Sequence, residues 1–518
     1  MSGLPTPGVG MLRNNDVFIQ TVLYSPILFL SYLLWTYLRS PLKSIPGPFL
    51  AKWTNFWRLI DVWRGRADIT TRRLHEKYGS AVRIGPNCVS LSDPSLIKTI
   101  YSTKGDWLKT EFYHVNAVLQ GGQLVHTMFS VSDPKFHRLM RRPVAHLYSM
   151  TEILNLEPLV DKTISKFMRV LEERFMNGPN AEKTCDIDNY LLYYAWDVLG
   201  DVTFSQPMGF LEKGGDIDNL LRTADKALDY FAVVGQIPKL DWLFDKNPIV
   251  RIGPPSFSSA AVFCVQKVVD RVAGKDSDTH DPSQPDFMDI FLDLRKTKPD
   301  IVDDNQVISY LLINQIAGSD TTAITLRAVI YFILKNPQVK DKLLQELDQA
   351  ALELPAKYRA ASQLPYLSAC IHEATRMHPG VGLILERYVP AGGLSLPDGR
   401  FIQPGTIVGI NPWVVAKDKN IYGEDPDSYV PERWLKADGE SDKEFEQRLR
   451  KMQNADLTFG QGSRICVGKN LALMEVWKVV STLFSVYDIN LKDPKKEWHI
   501  QNSWFVRQEG IDVTIRRR

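Results

Sequence analysis

Cysteine is scarce in this sequence, and the few that occur do not form pairs. The 518 residues contain five cysteines, which are widely spaced and include no Cys-x-x-Cys motif. Such a set excludes a disulfide framework and a zinc ribbon, and it indicates a reducing compartment for most of the chain. The five are Cys88, Cys185, Cys264, Cys370 and Cys466. If one of them does chemistry, it does so without a second thiol.

An excess of either charge is also missing. The chain has 62 Lys and Arg against 60 Asp and Glu, a net charge of +2, which argues against a general nucleic-acid-binding protein. It contains no Asn-x-Ser/Thr sequon, which agrees with a globular part that stays outside the secretory lumen. The composition is globular, and at roughly 150 residues per domain the length suggests about three domains, although large single folds reach this size.

Long hydrophobic runs are rare as well, since only residues 17–38 form one without a charge. As a helix rising ~1.5 Å per residue, this run would reach ~33 Å, enough for a hydrocarbon core of ~30 Å. A cleaved signal peptide and a buried core helix are the alternatives, but no small-residue cleavage site precedes Arg39. Arg39 and Lys43 follow the run, so the positive-inside rule places the rest of the chain in the cytosol. We therefore predict a retained single-pass membrane anchor.

The remaining pattern is mainly helical and shows no internal domain break. Helical periodicity covers residues 153–176, 186–204, 217–231, 256–273, 304–335 and 469–487. Short strands are predicted at 81–84 and 88–91, with a hairpin tip at 396–400 and a surface loop at 276–285. The predicted organisation is a short segment 1–16, the anchor 17–38, a proline-rich hinge 39–48 and one large unit 49–518. The predicted fold class is mainly α with a small β part.

The most informative segment is residues 459–468, Phe-Gly-Gln-Gly-Ser-Arg-Ile-Cys-Val-Gly. Cys466 sits in a glycine-containing loop just before a predicted helix, where backbone N–H groups favour a thiolate. Gly460 and Gly468 permit the close approach of a flat partner. Phe459 can stack beside that partner, and Arg464 can pair with an anionic group on it. These are the requirements of a haem-thiolate site.

This loop has two other interpretations. An isolated cysteine in a turn is by default a buried structural thiol. A dinucleotide-binding loop is discarded, because Ile465 stands in place of the third glycine and no strand clearly precedes the segment.

The segment matches Phe-x-x-Gly-x-Arg-x-Cys-x-Gly at every fixed position, and the chain resembles the cytochrome P450 family over nearly its whole length. The resemblance implies a haem b cofactor whose iron takes Cys466 as its axial ligand. The predicted anchor makes the chain similar to microsomal members. Residues 193–211 resemble fungal enzymes of the pisatin-demethylase-like kind.

Glu373 and Arg376 resemble the family's Glu-x-x-Arg pair, and Arg433 supplies a third member. By resemblance these three residues form a buried network that braces the cysteine loop. Taken alone, an i,i+3 pair of this kind is more often a surface salt bridge of little energetic value.

Residues 317–322, Ala-Gly-Ser-Asp-Thr-Thr, lie midway along the longest predicted helix. Gly318 costs ~1 kcal/mol relative to Ala inside a helix, so something should require the missing side chain. The resemblance implies room for dioxygen at Gly318 and proton handling by Thr321 and Asp320, a task suited to a hydroxyl beside a carboxylate. The alternative is a small residue that packs against a neighbouring helix.

His137 and Arg141 resemble the family's Trp-x-x-x-Arg segment, which reaches a haem propionate, with His in place of Trp. Arg464 and Arg387 are further propionate candidates. Without the resemblance, His137 and Arg141 would be read as a solvated helix face. A basic patch of Arg138, Arg142, Lys469 and Lys451 is a candidate docking face for an acidic reductase, with scattered solvated charges as the alternative.

The predicted activity is that of an oxidoreductase, a haem-thiolate monooxygenase that inserts one oxygen atom from dioxygen into a hydrophobic small molecule. The expected substrate is a terpenoid, polyketide or alkaloid intermediate of secondary metabolism. Electrons would come from NADPH through a cytochrome reductase, with cytochrome b5 as a further partner, at the endoplasmic reticulum membrane. The alternatives are a reductase-independent haem-thiolate isomerase or dehydratase, and a non-catalytic haem-binding protein. Family topology implies nine substrate-facing positions: Phe112, Val118, Phe231, Ile313, Ala317, Val381, Leu383, Trp504 and Phe505.

Overall fold

The computed structural model describes residues 24–25, 27–28, 30–31, 34–104, 106–120, 122–177, 183–254 and 258–518. The segment 1–16 and most of the predicted anchor lie outside these residues, so the anchor stays a prediction. Those that are described between 24 and 39 are helical and mostly exposed. Among the described residues, one helix is long and apolar enough to cross a membrane, Asp304–Lys335, and 67% of its most apolar window is buried inside the protein.

Nineteen helices of the described part carry most of the structure. They are α1 Phe56–Trp63, α2 Ala67–Tyr78, α3 Ile97–Ile100, α4 Pro134–Arg141, α5 Met150–Asn155, α6 Glu157–Phe175, α7 Ile187–Phe204, α8 Phe210–Lys213, α9 Leu220–Val234, α10 Ser258–Val272, α11 Phe287–Thr297, α12 Asp304–Lys335, α13 Pro337–Ala350, α14 Tyr358–Ala361, α15 Pro365–Met377, α16 Pro412–Val415, α17 Lys419–Tyr422, α18 Asp442–Ala455 and α19 Lys469–Val486.

The strands are short and form small sheets at the edges of the helical body. They are β1 Ala81–Gly85, β2 Cys88–Leu91, β3 Val118–Gln120, β4 Gln123–Val125, β5 Cys185–Asp186, β6 Arg387–Tyr388, β7 Leu394–Ser395, β8 Phe401–Ile402, β9 Ile407–Ile410, β10 Tyr487–Leu491, β11 His499–Ser503, β12 Phe505–Glu509 and β13 Asp512–Arg517. One sheet has the order β1-β2-β9-β6 and another β10-β13-β5, while β11-β12, β3-β4 and β7-β8 are two-stranded. The prediction of a mainly α fold with a small β part is confirmed for the described residues.

Local signals explain why several predicted bounds agree with the structure. The side chain of Asp303 accepts the backbone N–H of Gln306 and starts α12, which ends at Lys335 with Asn336 as its C-cap ahead of Pro337. The predicted helix 153–176 is instead broken at Leu156 into α5 and α6. Pro158 explains the break, because proline offers no N–H to the preceding turn and its ring clashes with a carbonyl four residues back.

The core is organised around α12, which packs along α7 and against α11, α15 and α19. A side chain at Gly318 would place its Cβ 2.9 Å from Leu199 Cδ1 of α7. The structure therefore supplies a contact for the packing interpretation of Gly318, with the small residue allowing the two helices to approach closely.

The predicted hinge is part of the folded body. Leu42 and Ile45 are buried in a second core that contains β1, β2 and β9. The Arg83 backbone N–H donates to the Pro46 carbonyl at 2.7 Å. Residues 39–48 are thereby fixed against β1, so the direction in which the chain leaves the body is set by packing.

Candidate functional site

The cysteine loop joins a short 3-10 turn, Gly462–Arg464, to the start of α19. The Cys466 backbone N–H donates to the Phe459 carbonyl at 2.9 Å and closes the loop. Gly462 has φ +68°, and a Cβ there would lie 1.9 Å from the Tyr101 carbonyl oxygen, so no larger residue fits. Cys466 is exposed, whereas the other four cysteines are buried.

The surroundings of Cys466 oppose and assist ionisation at the same time. Burial raises the pKa of the thiol, while the backbone N–H groups of Gly468 and Lys469 and the charge on Arg141 lower it. The thiol is thus both accessible and enclosed, which places it on an interior surface of the protein. The loop offers hydrogen-bond donors to a thiolate, as the position before a helix predicts.

Five basic side chains form a cluster near this loop. Arg387 and Arg464 both act on Lys109, whose pKa lies well below its usual value because of burial first and these two charges second. Burial, followed by the charges of Arg464, Lys109, Arg141 and Arg387, lowers the pKa of His137 to about 3. His137 is therefore neutral at physiological pH.

The guanidinium groups of this cluster are hydrogen-bonded mainly to neutral carbonyls. Arg141 donates to the Ser463 carbonyl at 2.7 Å, and Arg464 Nη2 donates to the Ser132 carbonyl at 3.0 Å. Arg387 donates to the Glu386 carbonyl at 2.7 Å. Arg464 Nη1 is buried and has no hydrogen-bond partner within the part of the chain that the structure describes.

These observations test whether the residues fit a haem. Buried like charges without a carboxylate partner are costly, and a ligand with two carboxylates would relieve the repulsion and satisfy Arg464 Nη1. Two propionates next to an accessible thiol match the basic cluster next to Cys466. The residues therefore fit the cofactor that the resemblance implies.

Lys109 was not found from the sequence. It belongs to the cluster because the charges of Arg387 and Arg464 act on it. Its ammonium donates to the Phe129 carbonyl at 2.6 Å and lies 4.1 Å from the Tyr113 ring centroid. A single lysine in an irregular segment carries no pattern that distinguishes it from a surface lysine. Only the fold shows that it is buried beside Arg464.

Replacement of Lys109 by methionine should change two stabilities in opposite directions. Haem-free Lys109→Met should unfold at higher denaturant, because a buried charge next to Arg387 and Arg464 is removed. Its haem affinity should fall by roughly ten- to a hundredfold, since a hydrogen bond to a charged group contributes ~1.5–3 kcal/mol. Denaturant unfolding of the haem-free protein and haem titration measure the two effects.

The control for this prediction is Lys104→Met, because Lys104 lies in the same segment and is exposed. It should change neither quantity. A Lys109→Met protein that loses stability and haem affinity together would show that the lysine only supports the local fold.

The predicted network around Glu373 is present as a set of hydrogen bonds. Arg376 is bidentate to the Glu373 carboxylate at 2.8 and 2.6 Å, and Arg433 Nε donates to it at 3.1 Å. Two donors were missed, namely the indole N–H of Trp434 at 2.9 Å and the backbone N–H of Val430 at 3.0 Å. Glu373 and Arg376 are buried, so the surface salt-bridge interpretation does not apply.

The network connects α15 to the chain that leads into the cysteine loop. Arg376 Nη1 also donates to the carbonyls of Ala416 and Pro426 at 2.8 and 2.7 Å. Arg376 and Trp434 line a small cavity that is also lined by Leu457 and Thr458, just before Phe459. The carboxylate therefore holds the segment between α16 and α18 against α15, next to the start of the loop.

On α12, Thr321 and Asp320 occupy different environments. The Thr321 hydroxyl donates to the Ala317 carbonyl at 2.8 Å, and Ala317 is exposed although it lies in a helix of the core. Asp320 is buried and accepts the indole N–H of Trp196 at 3.2 Å. Burial raises the pKa of Asp320 to about 6, and the charge on Asp225 adds to that rise.

Six of the nine predicted substrate-facing residues belong to one apolar cluster. They are Phe112, Phe231, Val381, Leu383, Trp504 and Phe505. The Phe112 ring lies 4.7 Å from Phe231 and 5.3 Å from Trp504. Tyr113 and Phe129 join the cluster and were missed. Ile313 and Ala317 are on α12, whereas Val118 lies on β3 with 58% of its surface exposed.

Trp504 holds an uncommon backbone conformation within this cluster. It lies between β11 and β12 with φ +72° and is buried. A bulky residue in this region is strained and persists only where its surroundings hold it. The Trp504 carbonyl accepts the Gly382 N–H at 2.9 Å, which fixes the hairpin against the segment before β6.

The sequence was compared with those of known proteins. A model of the family described as Cytochrome P450 matches residues 46–514. The chain is 42% identical over 496 residues to cytochrome P450 monooxygenase cfoH of Aspergillus candidus, covering 95% of this chain and 92% of that protein. It is 37% identical over 484 residues to cytochrome P450 monooxygenase cicH of Emericella nidulans, covering 93% and 95%. It is 35% identical over 498 residues to cytochrome P450 monooxygenase vrtE of Penicillium aethiopicum, covering 94% and 92%.

Proposed function

Because this chain belongs to the cytochrome P450 family and is a monooxygenase, we propose that it hydroxylates a hydrophobic intermediate of secondary metabolism with electrons from NADPH. The overall reaction consumes one dioxygen, two electrons and two protons, and yields the oxygenated substrate and one water. The observation that carries the proposal is the exposed thiol of Cys466 beside a partly buried basic cluster in which Arg464 Nη1 has no hydrogen-bond partner among the described residues.

Different residues of the site are proposed to have different roles. Cys466 would hold the haem iron, and Lys109, Arg141, Arg387 and Arg464 would pair with the propionates. The bound haem supplies the iron centre that activates dioxygen, and a thiolate ligand favours cleavage of its O–O bond. Asp320 Oδ and Thr321 Oγ hold and pass on protons.

The substrate is proposed to be an apolar polycyclic molecule of the terpenoid, polyketide or alkaloid class. Phe112, Phe231 and Trp504 support this, since their rings form one continuous apolar and aromatic surface. Aromatic faces bind flat or fused apolar rings through area burial and offset contacts.

Electrons are proposed to arrive from a membrane-bound NADPH–cytochrome reductase, with cytochrome b5 as a second donor. Arg138, Arg142 and Lys451 support this because they are exposed, and Lys469 lies next to the cysteine loop at the start of α19. A positive face would steer an acidic partner towards the side of the protein that carries Cys466.

The protein is proposed to be anchored in the endoplasmic reticulum membrane, with the folded body facing the cytosol. Exposed apolar side chains near the end of the N-terminal helix support this: Leu34, Trp35, Leu38, Phe49, Leu50, Phe56, Ile60 and Trp63. An apolar surface next to a hydrophobic helix is typical of a membrane contact. Microsomal co-sedimentation that survives alkaline carbonate would support an integral anchor, and release by carbonate would contradict it.

The activity is tested in two steps. Purified protein is reduced under carbon monoxide to look for the Soret shift of a thiolate-ligated haem. It is then incubated with reductase, NADPH and a panel of terpenoid, polyketide and alkaloid compounds. A shift without any NADPH-dependent product would favour a non-catalytic or isomerase role, and absence of the shift would overturn the haem-thiolate assignment.

Replacement of Thr321 by alanine should leave haem binding unchanged and uncouple NADPH consumption from product formation. Loss of the hydroxyl removes a proton-handling group, so NADPH consumption should continue while product per NADPH falls by roughly tenfold and hydrogen peroxide rises. Thr325→Ala is a matched control, since Thr325 makes the same hydrogen bond to a carbonyl four residues earlier, at 2.9 Å. Unchanged product per NADPH in Thr321→Ala would remove Thr321 from the mechanism.

A further inference from the structure

A small polar notch lies beside the aromatic cluster, between α1, α2 and the segment that precedes β6. The polar residues that line it are Arg58, Asp61, Thr71, Gln236 and Glu386, and its volume is about 30 Å³. A water molecule needs ~10–15 Å³ of such space. The notch therefore has room for one small polar group and not for a ring.

The notch adjoins the surface that is proposed to bind the substrate. Phe112 and Leu383 line the notch, and both belong to the apolar cluster that contains Phe231 and Trp504. Val62 of α1 also belongs to both. A molecule that packs against these rings therefore has the notch at the edge of its contact surface.

The protein itself satisfies part of the polar lining. The Arg58 guanidinium pairs with one oxygen of Glu386, whose other oxygen accepts the Thr110 hydroxyl at 2.6 Å. The Thr71 hydroxyl donates to the Ala67 carbonyl at 2.7 Å. Arg58 and Glu386 are both buried, so this ion pair is a fixed part of the wall.

Asp61 differs, because its hydrogen-bond donor among the described residues is a neutral group, the Thr70 hydroxyl. Burial raises the pKa of the Asp61 carboxyl, while this hydrogen bond and the charge on Arg64 lower it. A carboxylate offers about four acceptor positions, and one hydroxyl occupies only one of them. Asp61 can therefore accept further hydrogen bonds from a ligand in the notch.

Gln236, which follows α9, adds a second acceptor. Its Nε2 donates to the Ala232 carbonyl at 2.8 Å, which leaves Oε1 as the acceptor end of the amide. A Cβ at Gly235 would lie 2.5 Å from Phe112 Cδ2, so the end of α9 packs closely against this ring. The aromatic surface and the Gln236 amide are thereby held next to each other.

We propose that this notch binds a hydrogen-bond donor of the substrate, a hydroxyl or an amine, with Asp61 and Gln236 as its acceptors. The substrate is then a flat or fused apolar ring system that carries an alcohol, a phenol or an amine at one edge, and not a carboxylic acid. This inference rests on the proposed function, since it names a polar group of the substrate bound at that site.

The charges of the lining exclude an acid. A substrate carboxylate would lie beside Asp61 and Glu386, and like charges repel strongly where water is removed. Arg58 offers little compensation, because its charge is already paired with Glu386. A hydroxyl or an amine donates to the two acceptors without this conflict.

The experiment uses the haem-loaded full-length protein and four probes that share one fused-ring core. The probes are pyrene, 1-hydroxypyrene, 1-pyrenemethylamine and 1-pyrenecarboxylic acid. Quenching of pyrene emission by the haem follows binding, so the titration requires neither reductase nor turnover. Each affinity is divided by that of pyrene, which removes the contribution of ring burial and isolates that of the substituent.

In the wild-type protein the hydroxyl and amine probes should bind roughly tenfold more tightly than pyrene, as one hydrogen bond to a charged group predicts. The acid should bind no more tightly than pyrene. Asp61→Leu should abolish the preference and leave the affinity for pyrene unchanged, because leucine has a similar size and no acceptor. Asp61→Asn keeps one acceptor oxygen and should retain part of the preference for hydroxypyrene.

Glu76→Leu is the control, since Glu76 is an exposed acid of the neighbouring helix α2 and pairs with Arg72. It should show the wild-type order of affinities. Carbon monoxide difference spectra of every variant show that the haem site is intact. If Asp61→Leu does not bind haem, the wild-type order and Asp61→Asn carry the test.

Equal affinity of the wild-type protein for pyrene and both donor probes would overturn the inference, as would tighter binding of the acid. An Asp61→Leu protein that binds pyrene and hydroxypyrene equally weakly would overturn it too, because Asp61 would then only support α1. Failure of the proposed function is distinguishable, since it would appear as a missing thiolate-type Soret shift or a lack of NADPH-dependent product. Failure of this inference would leave both intact and remove only the preference among probes.

Discussion

Replacement of Cys466 by alanine should abolish the Soret shift that the reduced, carbon monoxide-treated protein is expected to show. Without the thiol, the loop still offers its backbone N–H groups but has no atom that can ligate iron, and the thiolate contribution to dioxygen cleavage is lost. Product formation should fall below detection. Absorbance spectra and haem content of the purified variant measure the effect.

The control is Cys264→Ala, because Cys264 is a buried cysteine of α10 that the candidate site does not use. It should lose little stability, as expected for a small apolar truncation, and keep the Soret shift. If Cys466→Ala retained the shift, the axial ligand would be another residue and the assignment of the loop would be wrong.

The second large effect is expected for Glu373→Ala, which should yield protein without stably bound haem. The substitution leaves Arg376, Arg433 and the indole N–H of Trp434 without their acceptor in a buried site. Removing one partner of a buried ion pair costs ~3–5 kcal/mol because an uncompensated charge remains. Denaturant unfolding of the haem-free protein and haem content after purification are the measurements.

Glu432→Ala is the matched control, since Glu432 is next to Arg433 in sequence and pairs with Lys342 at 2.6 Å on the surface. Surface pairs contribute ~0–1 kcal/mol, so this variant should keep its haem. Normal haem occupancy in Glu373→Ala would contradict the bracing role, even if the variant were less stable.

Elements with local signals agree closely between prediction and structure. The bounds of α12 follow from the cap at Asp303 and from Asn336-Pro337, and the hairpin tip at 396–400 lies between β7 and β8 as its turn residues predict. α19 begins at Lys469 directly after the cysteine loop. Capping, proline and glycine act over a few residues, so a single sequence contains the information.

The basic cluster shows what could not be predicted. Arg387 and Arg464 were predicted as propionate partners by resemblance, whereas Lys109 comes from a distant segment and looks like an ordinary surface charge in its own neighbourhood. Their mutual repulsion is visible only once the fold has buried them together. A polar cavity beside Asp320 is of the same kind, because it is also lined by Asp225 of α9 and Arg507 of β12.

The sequence by itself determined the family, the axial ligand candidate Cys466, the Glu373–Arg376 pair and the bounds of long helices such as α12 and α19, because each depends on residues close together in the chain. The tertiary structure determined which charged side chains from distant segments lie close together. In the folded protein Lys109 is a candidate partner of a carboxylate. Gly318 packs against Leu199, and Asp320 lines a polar cavity. Charges separated along the chain interact strongly only where packing removes the water between them, and that condition is a property of the fold.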